Sequence, residues 1–307
     1  MASAGRGAIA GAAVTGAAAL VLFLASCHGV TQPPVAGGTS LAGTGEAAGL
    51  AGGASPSGAS NHADPLSGAT ASYLAARSGA VLAAVYDVRT GQSWRLGAGA
   101  AQAEASVVKL DILETLLARQ DGTALSPGDQ SLAQSMIEDS DNDAATSLWY
   151  EAGGATGIGT YNGRAGLTRT IPSQCVACAG FSWPGWGLTT TVPYDQLSLL
   201  KQLIAPGPRP LLSDAERSYA LSLMENVASD QRWGVSGGVP AGVTVALKNG
   251  WVPLNGANTD WQVNSVGWVS GDGRDYLIAV LATGNPTEQY GIDTISALSS
   301  LVWTAMR

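Results

Sequence analysis

The chain has 307 residues, 46% of them apolar, which is enough for one large domain or two small ones. Charged residues make up only 12%, the net charge is −8 and there are three lysines, which makes the chain a poor nucleic-acid binder, since phosphate binding needs clustered positive charge. The two histidines, His28 and His62, precede every segment with a folding pattern, which excludes a Ser-His-Asp triad and the usual histidine-containing zinc sites. Any acyl-transfer chemistry therefore needs a base other than imidazole, and neither a metal nor a cofactor is expected.

Residues 1–27 read as a targeting segment: Arg6, then an Ala-rich apolar run ending Leu20-Val21-Leu22-Phe23-Leu24. The strongly apolar part is short for a bilayer span. Leu24-Ala25-Ser26-Cys27 resembles the lipobox of bacterial lipoproteins. That resemblance implies lipidation at Cys27 and anchoring on the extracytoplasmic face of a bacterial membrane; the competing reading is an ordinary secretory signal. Residues 28–67, rich in Gly, Ala, Ser, Thr and Pro, bury too little apolar surface to fold and form a tether. A flexible chain of that length reaches roughly 35 Å. An exported setting favours a disulfide between Cys175 and Cys178, since one C-x-x-C cannot fill a zinc site and no thioredoxin-like pattern surrounds it.

Residues 68–307 read as one unit. A short helix over Ala69–Arg77 precedes a strand over Ala80–Val88, a turn at 89–92 and a returning strand from Ser93 to Leu96. The segment 104–119 is apolar nearly all round a helix, the pattern of a buried one. Further helices are expected near 130–138, 142–152, 193–205 and 214–227. Strands follow over Val243–Leu247, Trp261–Val269 and Tyr276–Leu281, with Asn249-Gly250 and Asp272-Gly273 as turn residues. A last helix spans 287–306. Strands at both ends with helices between predict an α/β (α+β) fold: an antiparallel sheet built from both termini, flanked by helices, with a helical subdomain.

Three short motifs occur in order. Ser106-Val107-Val108-Lys109 is S-x-x-K, Ser140-Asp141-Asn142 is S-D-N, and Lys248-Asn249-Gly250 is K-N-G at a strand end. Residues i and i+3 of a helix share a face, so Lys109 falls beside Ser106. A serine hydroxyl is a weak nucleophile until a neighbour takes its proton. An amine among apolar residues and near a second cation has a lowered pKa and can do so. Only Lys109, Lys201 and Lys248 exist, and two of the three lie in these motifs.

In motif order and context the chain resembles class A β-lactamases and penicillin-binding proteins. The resemblance implies Ser106 as nucleophile, Lys109 as base, and Ser140 and Lys248 as the remaining catalytic groups. It also implies Asn142, Asn249, Gly250 and Trp251 at the substrate, and an oxyanion hole from the backbone N–H groups of Ser106 and Trp251. A cell-wall peptide or a β-lactam is the implied ligand. The sequence departs from the family in three ways. Asn249 replaces the usual Thr or Ser. The Ser106-to-Ser140 spacing is short. Residues 152–194 contain no Asp or Glu, where class A enzymes carry the Glu that clears the acyl-enzyme. Slow or absent β-lactam turnover is therefore expected. A catalytically silent lipoprotein that binds a ligand or partner is the alternative, and a β-lactamase with a relocated water-activating group a third. Trp183, Trp186 and Trp233 read as packing residues.

Overall fold

The computed structural model describes residues 63–178, 183–255 and 257–307. The expected signal segment, Cys27 and most of the tether lie outside them. Leu66, on the tether side of the boundary drawn at 68, is 2% exposed and packs in the core, so the packed domain reaches at least that far.

A five-stranded antiparallel sheet has the order β2-β1-β7-β6-β5. Its strands are β1 (Ala80–Asp87), β2 (Ser93–Leu96), β5 (Thr244–Pro253), β6 (Trp261–Gly271) and β7 (Arg274–Asn285). β1 from the N-terminal side pairs with the late strand β7, so the sheet is built from both ends of the chain, as expected. β3 (Gln102–Ala103) and β4 (Thr190–Thr191) form a separate small ladder that no propensity signalled. Helices α1 (Ala69–Ala75) and α8 (Glu288–Ala305) lie toward one face; α2 (Val108–Arg119), α3 (Pro127–Glu138), α4 (Asn142–Glu151), α5 (Gly154–Ala165), α6 (Pro193–Ile204) and α7 (Asp214–Glu225) make up the rest. Among the described residues no helix is long and apolar enough to cross a membrane.

The period of two along β7 explains the layering. Leu277 and Ala279 enter the core shared with α2 and α6, while Ile278, Val280 and Ala282 enter the core shared with α8. Covered on both faces, β7 reads as a continuous apolar run rather than an alternation. At its start, Asp272 (φ 49°) and Gly273 (φ 74°) are both left-handed, the backbone that a two-residue hairpin requires. α2 is buried from Val108 through Leu117, as its all-round apolar sequence predicts. Each fully buried Leu or Ile there contributes about 1.5–3 kcal/mol of transfer free energy.

One expectation is corrected and one helix is added to those expected. Asn249-Gly250 is no turn: β5 continues to Pro253, with Asn249 opposite Ser265 and Gly250 opposite Asn264. The Gly-rich segment 154–165, which carries no strong helix signal, is α5, because Ile158, Tyr161 and Ala165 bury one face against the core.

Candidate active site

A single 3-10 turn over Ala105–Val107 opens α2 and presents Ser106. Ala105 takes φ 51°, a left-handed backbone costing an alanine about 1–3 kcal/mol unless its surroundings impose it. Gly250 of β5 is part of those surroundings. A Cβ there would lie 2.7 Å from the backbone nitrogens of Ser106 and Val107 and 2.8 Å from the Glu104 carbonyl. Only a glycine lets β5 run this close to the serine turn.

Lys109 is fully buried, and its Nζ lies 3.1 Å from Ser106 Oγ. It also reaches Ser140 Oγ at 3.0 Å, Asn142 Oδ1 at 2.8 Å and the Ser140 carbonyl. Burial, and then the neighbouring charge of Lys248, lower its pKa to about 6. A neutral amine has two N–H donors and one lone pair. The two carbonyl oxygens only accept, so they take the donors, and the lone pair is left to the hydroxyls.

Ser140 occupies a left-handed turn (φ 59°) just before α4. Asp141 caps that helix, accepting from Ala144 N–H at 2.7 Å, so Asn142 is its first residue. Lys248 is 1% exposed, burial lowers its pKa to about 7, and its Nζ donates to Ser140 Oγ at 3.0 Å. The structure thus brings Ser106, Lys109, Ser140, Asn142 and Lys248 together.

Asn249 is the exception. It was expected at the substrate, but it is 1% exposed, and its Nδ2 donates to the carbonyls of Gln231 (2.6 Å) and Trp233 (3.2 Å). Alternation along a strand turns successive side chains to opposite faces, so with Lys248 toward Ser140, Asn249 faces away. It anchors the loop before β5 instead of lining the cleft. Trp251, which the same alternation puts on Asn249's side of β5 and which packs on Trp233, nevertheless borders the cleft. Gly250 acts through its missing side chain.

The cleft has a volume of about 370 Å3, and Ser106, Ser140, Asn142, Trp183 and Trp251 are in its wall. Among the described residues Asp139 is the one acid in that wall. Trp186 is 2% exposed, as its packing role predicts, but its ring centroid also lies 5.1 Å from Lys109 Nζ. Its Nε1 donates to Thr146 Oγ1 at 3.2 Å, and Trp183 stacks on it with centroids 6.0 Å apart. Trp233 packs against Trp251 at 5.9 Å. Cys175 and Cys178 are disulfide-bonded, and the Cys175 carbonyl accepts from Gly185 N–H at 2.7 Å, next to Trp186.

Sequence reasoning missed a buried polar layer beneath the site. Glu104, Asp111 and Glu114 are fully buried, and burial raises the pKa of each above the usual carboxylate range. Glu104 accepts from Gln196 Nε2 at 3.1 Å and Glu114 from Tyr161 OH at 2.7 Å. The signal was present: Asp111 and Glu114 sit within a helix that is otherwise apolar all round.

A family model described as "Beta-lactamase enzyme family" matches residues 119–306. Among curated proteins, the "Putative lipoprotein LppW" of Mycobacterium tuberculosis and of Mycobacterium bovis is 32% identical over 222 residues, 67% of this chain. The chain spans 64% of that relative's length. Among solved structures, the TLA-1 extended-spectrum β-lactamase superposes with a TM-score of 0.65 at 17% identity, over 76% of this chain and 95% of that one. A class A β-lactamase from Mycobacterium abscessus gives 0.61 at 22%, over 76% and 96%. The structure titled PBP-A gives 0.61 at 20%, over 74% and 90%. At these identities the likeness is one of fold.

Proposed function

Since the chain belongs to the beta-lactamase enzyme family, we propose that it is an exported, lipid-anchored serine hydrolase or acyl-transferase working through a Ser106 acyl-enzyme. The observation that carries this reading is the 3.1 Å approach of Lys109 Nζ, an amine with a pKa of about 6, to Ser106 Oγ.

In the first step Lys109 Nζ takes the Ser106 proton while Oγ bonds to the carbonyl carbon of an amide. The carbonyl oxygen becomes an oxyanion, held by the N–H groups of Ser106 and Trp251. The closeness of Gly250 to Ser106 N supports that pairing. The C–N bond then breaks. The leaving nitrogen takes the Ser140 hydroxyl proton, and the Lys109 ammonium returns one to Ser140 Oγ, 3.0 Å away. Lys248, on the same oxygen, stabilises Ser140 as its proton leaves. Substrates of this class are cell-wall peptides and β-lactam-like amides.

Clearing the acyl-enzyme is the slow step in this reading. Residues 152–194 supply no carboxylate, and Trp186 covers the Lys109 side of the site. Mass spectrometry after incubation with benzylpenicillin tests the proposal: a stable adduct on the wild type and none on Ser106→Ala is expected. No Ser106-dependent adduct with several acylating agents overturns it.

A second reading, ligand binding without turnover, draws on the Asn249 amide being spent on the Gln231 and Trp233 carbonyls, which leaves Lys248 as the third motif's side-chain donor at the site. Full rescue of a deletion phenotype by Ser106→Ala favours it. For the anchor, lipidation at Cys27 predicts that Cys27→Ala abolishes fatty-acid labelling. The lipoprotein naming of the mycobacterial relatives supports this placement at a membrane surface.

A further inference from the structure

A second recess, of about 450 Å3, opens where β1, β2 and the start of α6 meet, and shares no residue with the cleft wall. Leu82, Leu96 and Val192 give it an apolar floor, and Arg95 and Arg169 stand at its mouth. The Arg95 guanidinium carbon lies over Tyr194, 3.6 Å from the ring centroid. Arg169 reaches across to the Gly99 carbonyl at 3.2 Å. Among the described residues neither guanidinium is paired with a carboxylate. In a chain of net charge −8, two uncompensated guanidinium groups beside one apolar recess mark a place built for an anion.

The recess is also firmly framed. Asp195, the one acid in its wall among the described residues, has Oδ2 already engaged by the Arg169 backbone N–H (2.7 Å) and the Thr170 hydroxyl (2.9 Å). Thr170 is linked to Thr191 at 2.7 Å, and Gln196 Nε2 joins Thr191 to Glu104, each at 3.1 Å. Hydrogen bonds that lock the wall preorganise the site, so a ligand need not order it.

We infer that this recess binds a small organic carboxylate with a short aliphatic body. Its carboxylate lies between Arg95 and Arg169, matching the planar guanidinium fork, and its chain lies against Leu82, Leu96 and Val192. A bare phosphate would leave the floor empty, and a neutral amide would leave the guanidinium groups unmatched.

Isothermal titration of the full chain with sodium hexanoate tests this. Saturable one-to-one binding is expected, weakened at least about tenfold in Arg95→Gln, absent for hexanamide, weaker for inorganic phosphate, and unchanged in Ser106→Ala. Arg95 is exposed, so its replacement leaves the fold intact, and a thermal melt of the variant verifies that. No saturable binding, equal binding of hexanamide or phosphate, or loss of binding in Ser106→Ala overturns the inference.

Discussion

Lys109 and Lys248 converge on one atom: the Nζ of each lies 3.0 Å from Ser140 Oγ. Two ammonium groups that close together in a buried site repel, and each loses hydration. Both effects favour a neutral amine, and Lys109 is the lower of the two, at about 6 against about 7. The arrangement makes Lys248 part of what makes Lys109 a base.

The stability of the protein should carry the same signature. Unfolded lysines titrate near 10.5, so between about 6 and that value the unfolded chain binds more protons than the folded one. Stability then rises with pH, by roughly 1.4 kcal/mol per unit for each such amine. The raised carboxyls Glu104 and Glu114 act in the opposite sense above the usual Glu range, so the informative quantity is a difference. Thermal melts between pH 6.5 and 9 should show the wild type gaining on Lys109→Met as pH rises. A pH-independent gap contradicts the lowered pKa.

Gly250→Ala should separate β5 from the serine turn. Its Cβ would meet backbone at 2.7 Å, which no side-chain rotation relieves. A loss of about 1–3 kcal/mol is expected from overpacking, together with a loss of Ser106 acylation larger than the drop in folded fraction. Denaturant unfolding and adduct formation measure the two.

Asn249→Ala should act on the loop before β5. It strips the buried Gln231 carbonyl and the partly buried Trp233 carbonyl of their donor, costing about 1–3 kcal/mol. The apparent affinity for an acylating substrate should change little beside that. A large affinity loss with unchanged stability would return Asn249 to the substrate.

The motif positions were legible because their chemistry is local: an i, i+3 spacing puts Lys109 beside Ser106 whatever surrounds them. That one sheet is built from both ends of the chain followed from the apolar strands there; the strand order did not. Long-range facts were not legible. The side to which Asn249 turns depends on β5 running on to Pro253, and Asn-Gly alone reads as a turn. The helix α5 forms against its propensity because tertiary burial outweighs three internal glycines. Trp186 was read as packing and does pack, yet its nearness to Lys109 comes from a loop some eighty residues further along the chain.

The central claim is that neutral Lys109 takes the Ser106 proton, and the rate of Ser106 acylation against pH tests it most directly. The account predicts a rate that rises with pH through an apparent pKa of about 6, with that limb moved to higher pH in Lys248→Met, where the neighbouring charge is gone. A rate that is flat from pH 5 to 8, or a Lys109→Met protein that acylates as fast as the wild type, would contradict it.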